Sequence, residues 1–237
     1  SKKVQKNKFG ACLMQEPDLV ARCIEAMSHA TKLPITIKTR IGYNEVEDFE
    51  FLKSFIQKTK DAGSKKFIIH ARKALLKKLS PKENLNIPPL KYDFVYRLKD
   101  NFKNDEIIIN GGIKTTEEIK NHLSKVDGVM IGRAIYHSPY LLADIEKEIF
   151  ENNKVPSRQD VIEQLIPYVK DELKKGTRLN QIMRHTLGLF HGQTGASYWK
   201  RYLSENMCVR NADVQKIDHI MDKIKYNNVD TTVGQSA

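Results

Sequence analysis

The stretch EIIINGGI, residues 106–113, places three isoleucines directly before Asn110 and a pair of glycines. A short run of β-branched residues that ends in glycines predicts a buried β-strand followed by a tight loop. Further strand-like runs, in which polar residues share one parity, occur in PITIKTRIG (34–42) and FIIHAR (67–72), and another strand is predicted in DGVMIGRA (127–134). A helical pattern follows each of the four strands, at 46–62, 92–102, 115–123 and 139–150.

Strand–helix units in a row predict a parallel sheet, either doubly wound or closed into a barrel. A doubly wound sheet buries both faces, so its strands read as nearly continuous apolar runs. Here polar side chains stand at or near the carboxyl ends of the strands, namely Lys38, Arg40, His70, Arg72 and Asn110. Because a (β/α)8 barrel builds its active site at those ends, the sequence favours an α/β barrel, although a barrel has eight units.

The pattern changes after Lys154. Ser157 is placed as the N-cap of a helix that closes at Gly176, and three further helical patterns follow at 177–192, 196–206 and 212–226. They predict a small all-α helical bundle. We therefore expect a barrel domain over 1–154, a helical domain over 155–226 and a disordered polar tail over 227–237.

Composition narrows the functional classes. No apolar run approaches the roughly 20 residues that span a bilayer, so we expect no membrane role. The three cysteines, Cys12, Cys23 and Cys208, have no CxxC spacing, and no paired histidine motif accompanies them. We expect neither a disulfide framework nor a metal site, and a cytoplasmic location, with organellar targeting left open.

The charge balance points to a polyanionic partner. The net charge is +11 and the sequence pI is about 9.4. A field of this sign attracts nucleic acid and raises its encounter rate. A lysine-rich composition that spreads solvated charge over the whole surface is the alternative interpretation.

The loops after the last two predicted strands suggest a phosphate site. They contain Asn110, Gly111 and Gly112 in the first loop and Gly132 with Arg133 in the second. Glycines let backbone N–H groups approach an anion, and an arginine can add a bidentate contact. Two glycines after a strand can also make only a turn.

Two earlier strands carry candidate cofactor residues. Lys38 shares its predicted face with Thr36 and Arg40, so it could hold an electron-rich cofactor edge as a point charge, or simply be solvated. His70 alone would fit a structural histidine, but Arg72 two residues later has the same parity and favours a site role.

These segments together resemble a known family. FGACLM (9–14), IKTRIG (37–42), HARKALLKKLSPKEN (70–84), NGGI (110–113) and RHTLGLFHG (184–192) are similar to the tRNA-dihydrouridine synthases, specifically their A branch. The resemblance runs from Ser1 to about residue 207. It implies an FMN-dependent enzyme with a (β/α)8 barrel and a C-terminal helical domain. That enzyme would reduce D-loop uridines of tRNA (U20/U20a) with NADPH.

The resemblance also implies which residues contact ligands. The family's flavin contacts match seven positions of this sequence: Lys38, His70, Asn110, Gly111, Gly112, Gly132 and Arg133. Lys82, and Lys200 with Arg201, are expected to hold tRNA phosphates. We expect a monomer.

The family's catalytic cysteine lies in an Asn-x-Gly-Cys-Pro motif that the resemblance places just before Ser1. We therefore expect this sequence to hold the C-terminal half of the barrel and no catalytic residue, and Cys12 not to be the acid. Two alternatives stay open: another FMN-dependent barrel that reduces a free pyrimidine, or a catalytically inactive tRNA-binding fragment. The helical domain and the +11 charge argue against the first.

Overall fold

The computed structural model describes residues 9–76, 79–80, 82–209 and 213–221. The chain forms two compact units, Ser1–Ile131 and Gly132–Ala237, which are described separately below. In the described ranges, no helix is long and apolar enough to cross a membrane.

The first unit alternates strands and helices. After a 3-10 turn, Gly10–Gln15, the order is α1 Pro17–Ala30, β1 Thr36–Arg40, α2 Phe49–Asp61, β2 Lys66–His70, α3 Tyr92–Asn101, β3 Glu106–Asn110, α4 Thr116–Leu123 and β4 Gly128–Met130. The four strands form one parallel sheet in the order β1-β2-β3-β4. The predicted α/β architecture with a parallel sheet is thus confirmed.

Side-chain caps set where two of these helices begin. The Asp48 carboxylate accepts a hydrogen bond from the Phe51 amide at 3.2 Å, and α2 therefore begins at Phe49. The sequence predicted a start at residue 46, which is wrong. Thr115 and Glu118 form the predicted capping box at the start of α4. Both caps satisfy amides that the first helical turn leaves without an intrahelical partner.

The two faces of the sheet differ in burial. Phe67, Ile69, Ile107 and Ile109 point to the helix-covered face and are 0% exposed. They form a core with the helix residues Leu52, Ile56, Val95 and Leu98, which are equally buried. The opposite face carries the partly exposed Ile68 and Ile108 together with Lys38 and Asn110. Alternation of side chains along each strand separates the two sets.

The second unit is helical. It contains α5 Arg133–His137, α6 Leu141–Glu148, α7 Arg158–Lys174, α8 Leu179–Met183, a 3-10 turn Arg184–Thr186, α9 Ala196–Asn206 and a helix over 215–221. Ser157 caps α7 as predicted, by accepting from the Asp160 amide. Trp199 is fully buried in the core, where it packs with Phe190, Leu203 and Ile217.

One predicted helix of this unit, over 177–192, is wrong. It is replaced by α8, the 3-10 turn and a series of turns. The Trp199 indole donates to the Thr186 carbonyl at 3.0 Å, and the Leu189 amide donates to the same carbonyl at 2.9 Å in a tight turn. Gly188 lies so close to the His137 carbonyl that a Cβ would overlap it, so tertiary packing decides the path here.

The boundary between the compact units differs from the predicted domain boundary. Residues 132–154 belong to the second unit, whereas the sequence grouped them with the strand–helix series. The functions assigned to the two domains stay predictions. Residues 222–226 of the predicted last helix and the predicted tail over 227–237 lie outside the described residues.

Two neighbouring isoleucines of β3 test this description of the sheet. Ile109→Ala should lower the free energy of unfolding by about 2–5 kcal/mol, because it opens a cavity in a fully packed region. Ile108→Ala, on the partly exposed face of the same strand, is the matched control and should cost clearly less. Urea unfolding followed by circular dichroism gives both values. Equal losses would mean that the two faces are not packed as described.

Candidate functional site

The last residues of the strands form one row across the sheet. Arg40 pairs in register with His70, His70 with Asn110, and Asn110 with Met130. In a parallel sheet, residues in register point to the same side. The row therefore collects a guanidinium, an imidazole and a carboxamide at one edge of the first unit.

Asn110 connects three strands through its carboxamide. Its Oδ1 accepts from Lys38 Nζ at 3.1 Å, and its Nδ2 donates to the Met130 carbonyl at 2.8 Å. Burial lowers the pKa of Lys38, and the charge of Arg40 lowers it further. The ammonium is therefore held in place, partly desolvated, and ready to interact strongly with an electron-rich group.

His70 and the two glycines after β3 pack closely. The His70 side chain is buried at 7% exposure. Gly111 and Gly112 have φ values of 125° and 76°. A Cβ on Gly111 would lie 2.8 Å from the His70 ring, and one on Gly112 would lie 2.6 Å from Leu90. Both positions require glycine, because the left-handed backbone and the lack of space exclude other residues.

Tyr92, the first residue of α3, orients the turn at Gly111 and Gly112. Its hydroxyl donates to the Gly111 carbonyl at 2.6 Å, and its ring contacts the buried His122 edge-on, with ring centroids 4.5 Å apart. The Tyr96 hydroxyl is hydrogen-bonded to His122 Nδ1 at 2.8 Å. No motif marks these residues, because they act through packing between α3 and α4.

The structure gives Arg40 and Arg72 partners that the sequence did not suggest. Arg40 Nη1 donates to the carbonyls of Lys73 and Asn84 at 2.8 and 2.9 Å. Arg72 Nη1 donates to the carbonyls of Asn86, at 3.1 Å, and Pro88. Both guanidinium groups thus bind the segment 73–90, here called loop 73–90. The site role that the sequence predicted for His70 and Arg72 stays a prediction beside these contacts.

Glu47 neutralises part of the positive charge near the row. Its carboxylate lies 3.2 Å from both Lys73 Nζ and Lys91 Nζ, and its side chain is only 13% exposed. Removing one partner of a largely buried ion pair leaves an uncompensated charge, so Lys73 and Lys91 are held beside Glu47. Lys82, by contrast, is exposed just before the 3-10 turn Glu83–Leu85.

In the second unit, the predicted site residues lie at the surface. Gly132 and Arg133 are exposed at the start of α5, and a Cβ on Gly132 would meet nothing within 4 Å. Gly111 and Gly112 belong to the first unit, so the two glycine loops are described separately.

Lys200 and Arg201 also lie at the surface, on α9. Neither makes an ion pair with a residue in the described ranges. The Arg201 guanidinium lies 5.8 Å from the centre of the Tyr198 ring. Both side chains therefore face solvent, while Trp199, which directly precedes them in sequence, is buried in the core.

Comparison of the sequence with those of known proteins identifies its family. The sequence profile of the family described as dihydrouridine synthase (Dus) matches residues 1–225. This chain belongs to the dihydrouridine synthase family. The match covers the whole strand–helix series and the helical unit, so it confirms the family that the sequence motifs indicated.

Individual members of the dihydrouridine synthase family are similar over almost the whole chain. A tRNA-dihydrouridine(20/20a) synthase of Synechocystis sp. is 47% identical over 97% of this chain and 69% of its own length. Proteins of the same name are 48% identical in Shewanella oneidensis, over 98% of this chain and 68% of that protein, and 46% identical in Vibrio cholerae, over 97% and 71%.

The buried His122 beside the glycine turn makes stability depend on pH. Burial lowers the pKa of His122, against a smaller opposing effect of Glu118. The unfolded state, with an ordinary histidine pKa of about 6.5, therefore binds more protons than the folded state just below that pH. The stabilising contribution of neutral His122 is therefore complete above the pKa that histidine has in the unfolded state. It is lost as the pH falls from there through the lower pKa of the folded state.

Urea unfolding at pH 7.5 and 5.5 tests this effect. His122→Gln should lose less stability than the parent protein over this step, because glutamine can bond Tyr96 without titrating. His29→Gln, at an exposed position at the end of α1, is the control and should follow the parent. An unchanged pH dependence in His122→Gln would contradict the role given to His122.

Proposed function

We propose that this protein reduces uridine to 5,6-dihydrouridine in the D-loop of tRNA, at positions 20 and 20a. The identity of 47% over 97% of the chain to a protein named tRNA-dihydrouridine(20/20a) synthase carries this proposal. The arrangement of Lys38, His70 and Asn110 at one edge of the sheet supports it, since a redox enzyme needs an ordered polar site for its cofactor.

The residues at this edge fit FMN. The flavin ring has an electron-rich edge, and a partly desolvated ammonium held by Asn110 is a suitable partner for it. The flavin phosphate needs close approach of backbone, which glycines allow. Gly132 fits this role, because nothing lies within 4 Å of the place where its Cβ would be. We propose Lys38, His70, Asn110, Gly111, Gly112, Gly132 and Arg133 as FMN contacts.

FMN, when bound, would supply the hydride for the reduction of the uracil ring, a separate acid would supply the proton, and NADPH is the proposed source of electrons. Lys38 would stabilise negative charge at the ring edge, and Asn110 holds the ammonium in position. His70, buried beside Gly111, would contact the flavin. The protein thus contributes positioning and electrostatics, while the uridine has to leave its stack to reach the site.

Binding of tRNA is assigned to exposed cations on both units. Lys82 follows β2 on loop 73–90, and Lys200 with Arg201 lies on α9. Contacts from lysine and arginine to phosphates supply affinity and depend on salt. We further propose that the parallel sheet is the C-terminal half of a (β/α)8 barrel, followed by a helical bundle domain, and that the protein is a monomer.

Flavin binding and dihydrouridine formation test the proposal directly. Protein expressed from its full reading frame should be yellow and should form dihydrouridine in a tRNA transcript supplied with NADPH, as measured by mass spectrometry of nucleosides. Lys38→Ala should weaken FMN binding roughly 10- to 100-fold, because a charged contact is lost. Lys66→Ala, at the opposite end of a neighbouring strand, is the control. Colourless protein that still binds tRNA would contradict the proposed enzyme.

The cations of α9 can be tested apart from the flavin. Replacing Lys200 and Arg201 together by alanine should weaken tRNA binding and make the slope of log K against log salt shallower by up to about two units. The flavin absorbance should stay the same. Lys174→Ala with Lys175→Ala, two exposed lysines paired with acidic neighbours, is the matched control. Normal tRNA binding of the Lys200/Arg201 variant over the whole salt series would exclude α9 from the tRNA surface.

A further inference from the structure

Loop 73–90 is attached to the ends of two strands by arginines. Arg40, the last residue of β1, and Arg72, two residues after β2, each direct one Nη1 to two carbonyl oxygens of this loop. A terminal guanidinium nitrogen carries two hydrogens, so one nitrogen can serve two acceptors. Four carbonyls of the loop, those of Lys73, Asn84, Asn86 and Pro88, are held in this way.

In the described residues of this loop, 73–76, 79–80 and 82–90, Asn84 makes further hydrogen bonds. Its Oδ1 accepts from the Leu75 amide at 2.7 Å, and its Nδ2 donates to the Leu75 carbonyl at 2.9 Å and the Leu79 carbonyl at 3.2 Å. The Ser80 amide donates to the Glu83 carboxylate at 2.8 Å, and the Glu83 amide donates to the Ser80 hydroxyl at 3.3 Å. Backbone groups on both sides of Lys82 are therefore bonded to side chains.

The strands that carry these arginines also carry the proposed flavin contacts. Arg40 is in register with His70 and lies two residues after Lys38, on the same face. Arg40 has no carboxylate partner in the described part of the chain, and burial lowers its pKa, as does the charge of Arg72. Partial burial of two neighbouring positive charges costs folding free energy. We therefore expect the four carbonyl contacts that these arginines make to serve a function.

We propose that Arg40 and Arg72 are positioning residues for tRNA. They hold loop 73–90, with Lys82 exposed on it, in a fixed position relative to the proposed flavin contacts Lys38, His70 and Asn110. A loop that is ordered before binding loses less conformational entropy when it contacts a ligand. The inference rests on the proposed function, since it takes tRNA as the ligand, and it concerns the geometry of the loop and not the direct contact with phosphate.

Arg40→Lys and Arg72→Lys test the proposal in the full-length protein. Lysine keeps the charge but lacks the planar fork, so it does not reproduce the paired carbonyl contacts. Hydrogen exchange of the loop amides should become faster, and the dissociation constant for tRNA should rise roughly five- to tenfold. The slope of log K against log salt should stay unchanged, because no phosphate contact is removed.

Three further variants separate the explanations. Asn84→Ala removes the side-chain bonds within the loop, keeps the backbone carbonyl that Arg40 binds, and should have the same effect on exchange and affinity. Lys82→Ala should instead make the salt slope shallower by about one unit, with exchange unchanged. Arg22→Lys, at an exposed position on α1, should behave as the parent protein.

The possible results point in different directions. Faster exchange with unchanged tRNA affinity, or unchanged exchange in both arginine variants, would overturn the positioning role. Weaker binding with a shallower salt slope would show a direct phosphate contact and would overturn it as well. Failure of the parent protein to bind tRNA would contradict the proposed function itself, and that result is visible before any variant is measured.

Discussion

In-register pairing of parallel strands is the constraint on which the candidate site depends. Because Arg40, His70, Asn110 and Met130 occupy equivalent positions, their side chains and backbone groups meet at one edge although they are far apart in sequence. A shift of one residue in any pair would turn these side chains toward the buried helix-covered face. The packed isoleucines and Phe67 on that face prevent such a shift, since a shift would expose them. Core packing therefore determines the geometry of the polar edge.

Polar contacts at this edge are of different kinds. Lys38 and Asn110 are joined across the sheet by a hydrogen bond in which the Lys38 ammonium donates to an uncharged amide oxygen. Arg40 and Arg72 bind backbone carbonyls, and Glu47 pairs with two lysines beside them. The cations at this edge thus differ in their partners: Lys38 bonds a side-chain amide, the two arginines bond backbone carbonyls, and Lys73 and Lys91 pair with a carboxylate.

The second unit presents its charges in a simpler way. Trp199 fills the core and donates to the Thr186 carbonyl, which fixes α9 against the turn that precedes it. Lys200 and Arg201 follow directly in sequence and are exposed, because the helical period turns them away from the core. Val214, Ile217, Ile220 and Met221 complete the core from the last described helix. A small bundle with one apolar interior can therefore display a basic surface without any special local structure.

The sequence by itself was sufficient for the strand–helix order, the parallel sheet, the helix caps at Thr115 and Ser157, and the family. These features depend on local periodicity, on capping residues and on motifs with fixed spacing, all of which can be read along the chain. The seven proposed FMN contacts were also chosen from the sequence, and the structure brings Lys38, His70, Asn110, Gly111 and Gly112 to one edge of the first unit.

Only the tertiary structure decided the break in the predicted helix over 177–192, the role of Tyr92 and the carbonyl partners of Arg40 and Arg72. Arg40 has the same strand parity as Lys38, yet one side chain binds a loop carbonyl more than 30 residues away and the other binds an amide across the sheet. Sequence patterns report which face a residue occupies. They do not report which acceptor lies within reach, because that depends on how distant segments pack against each other.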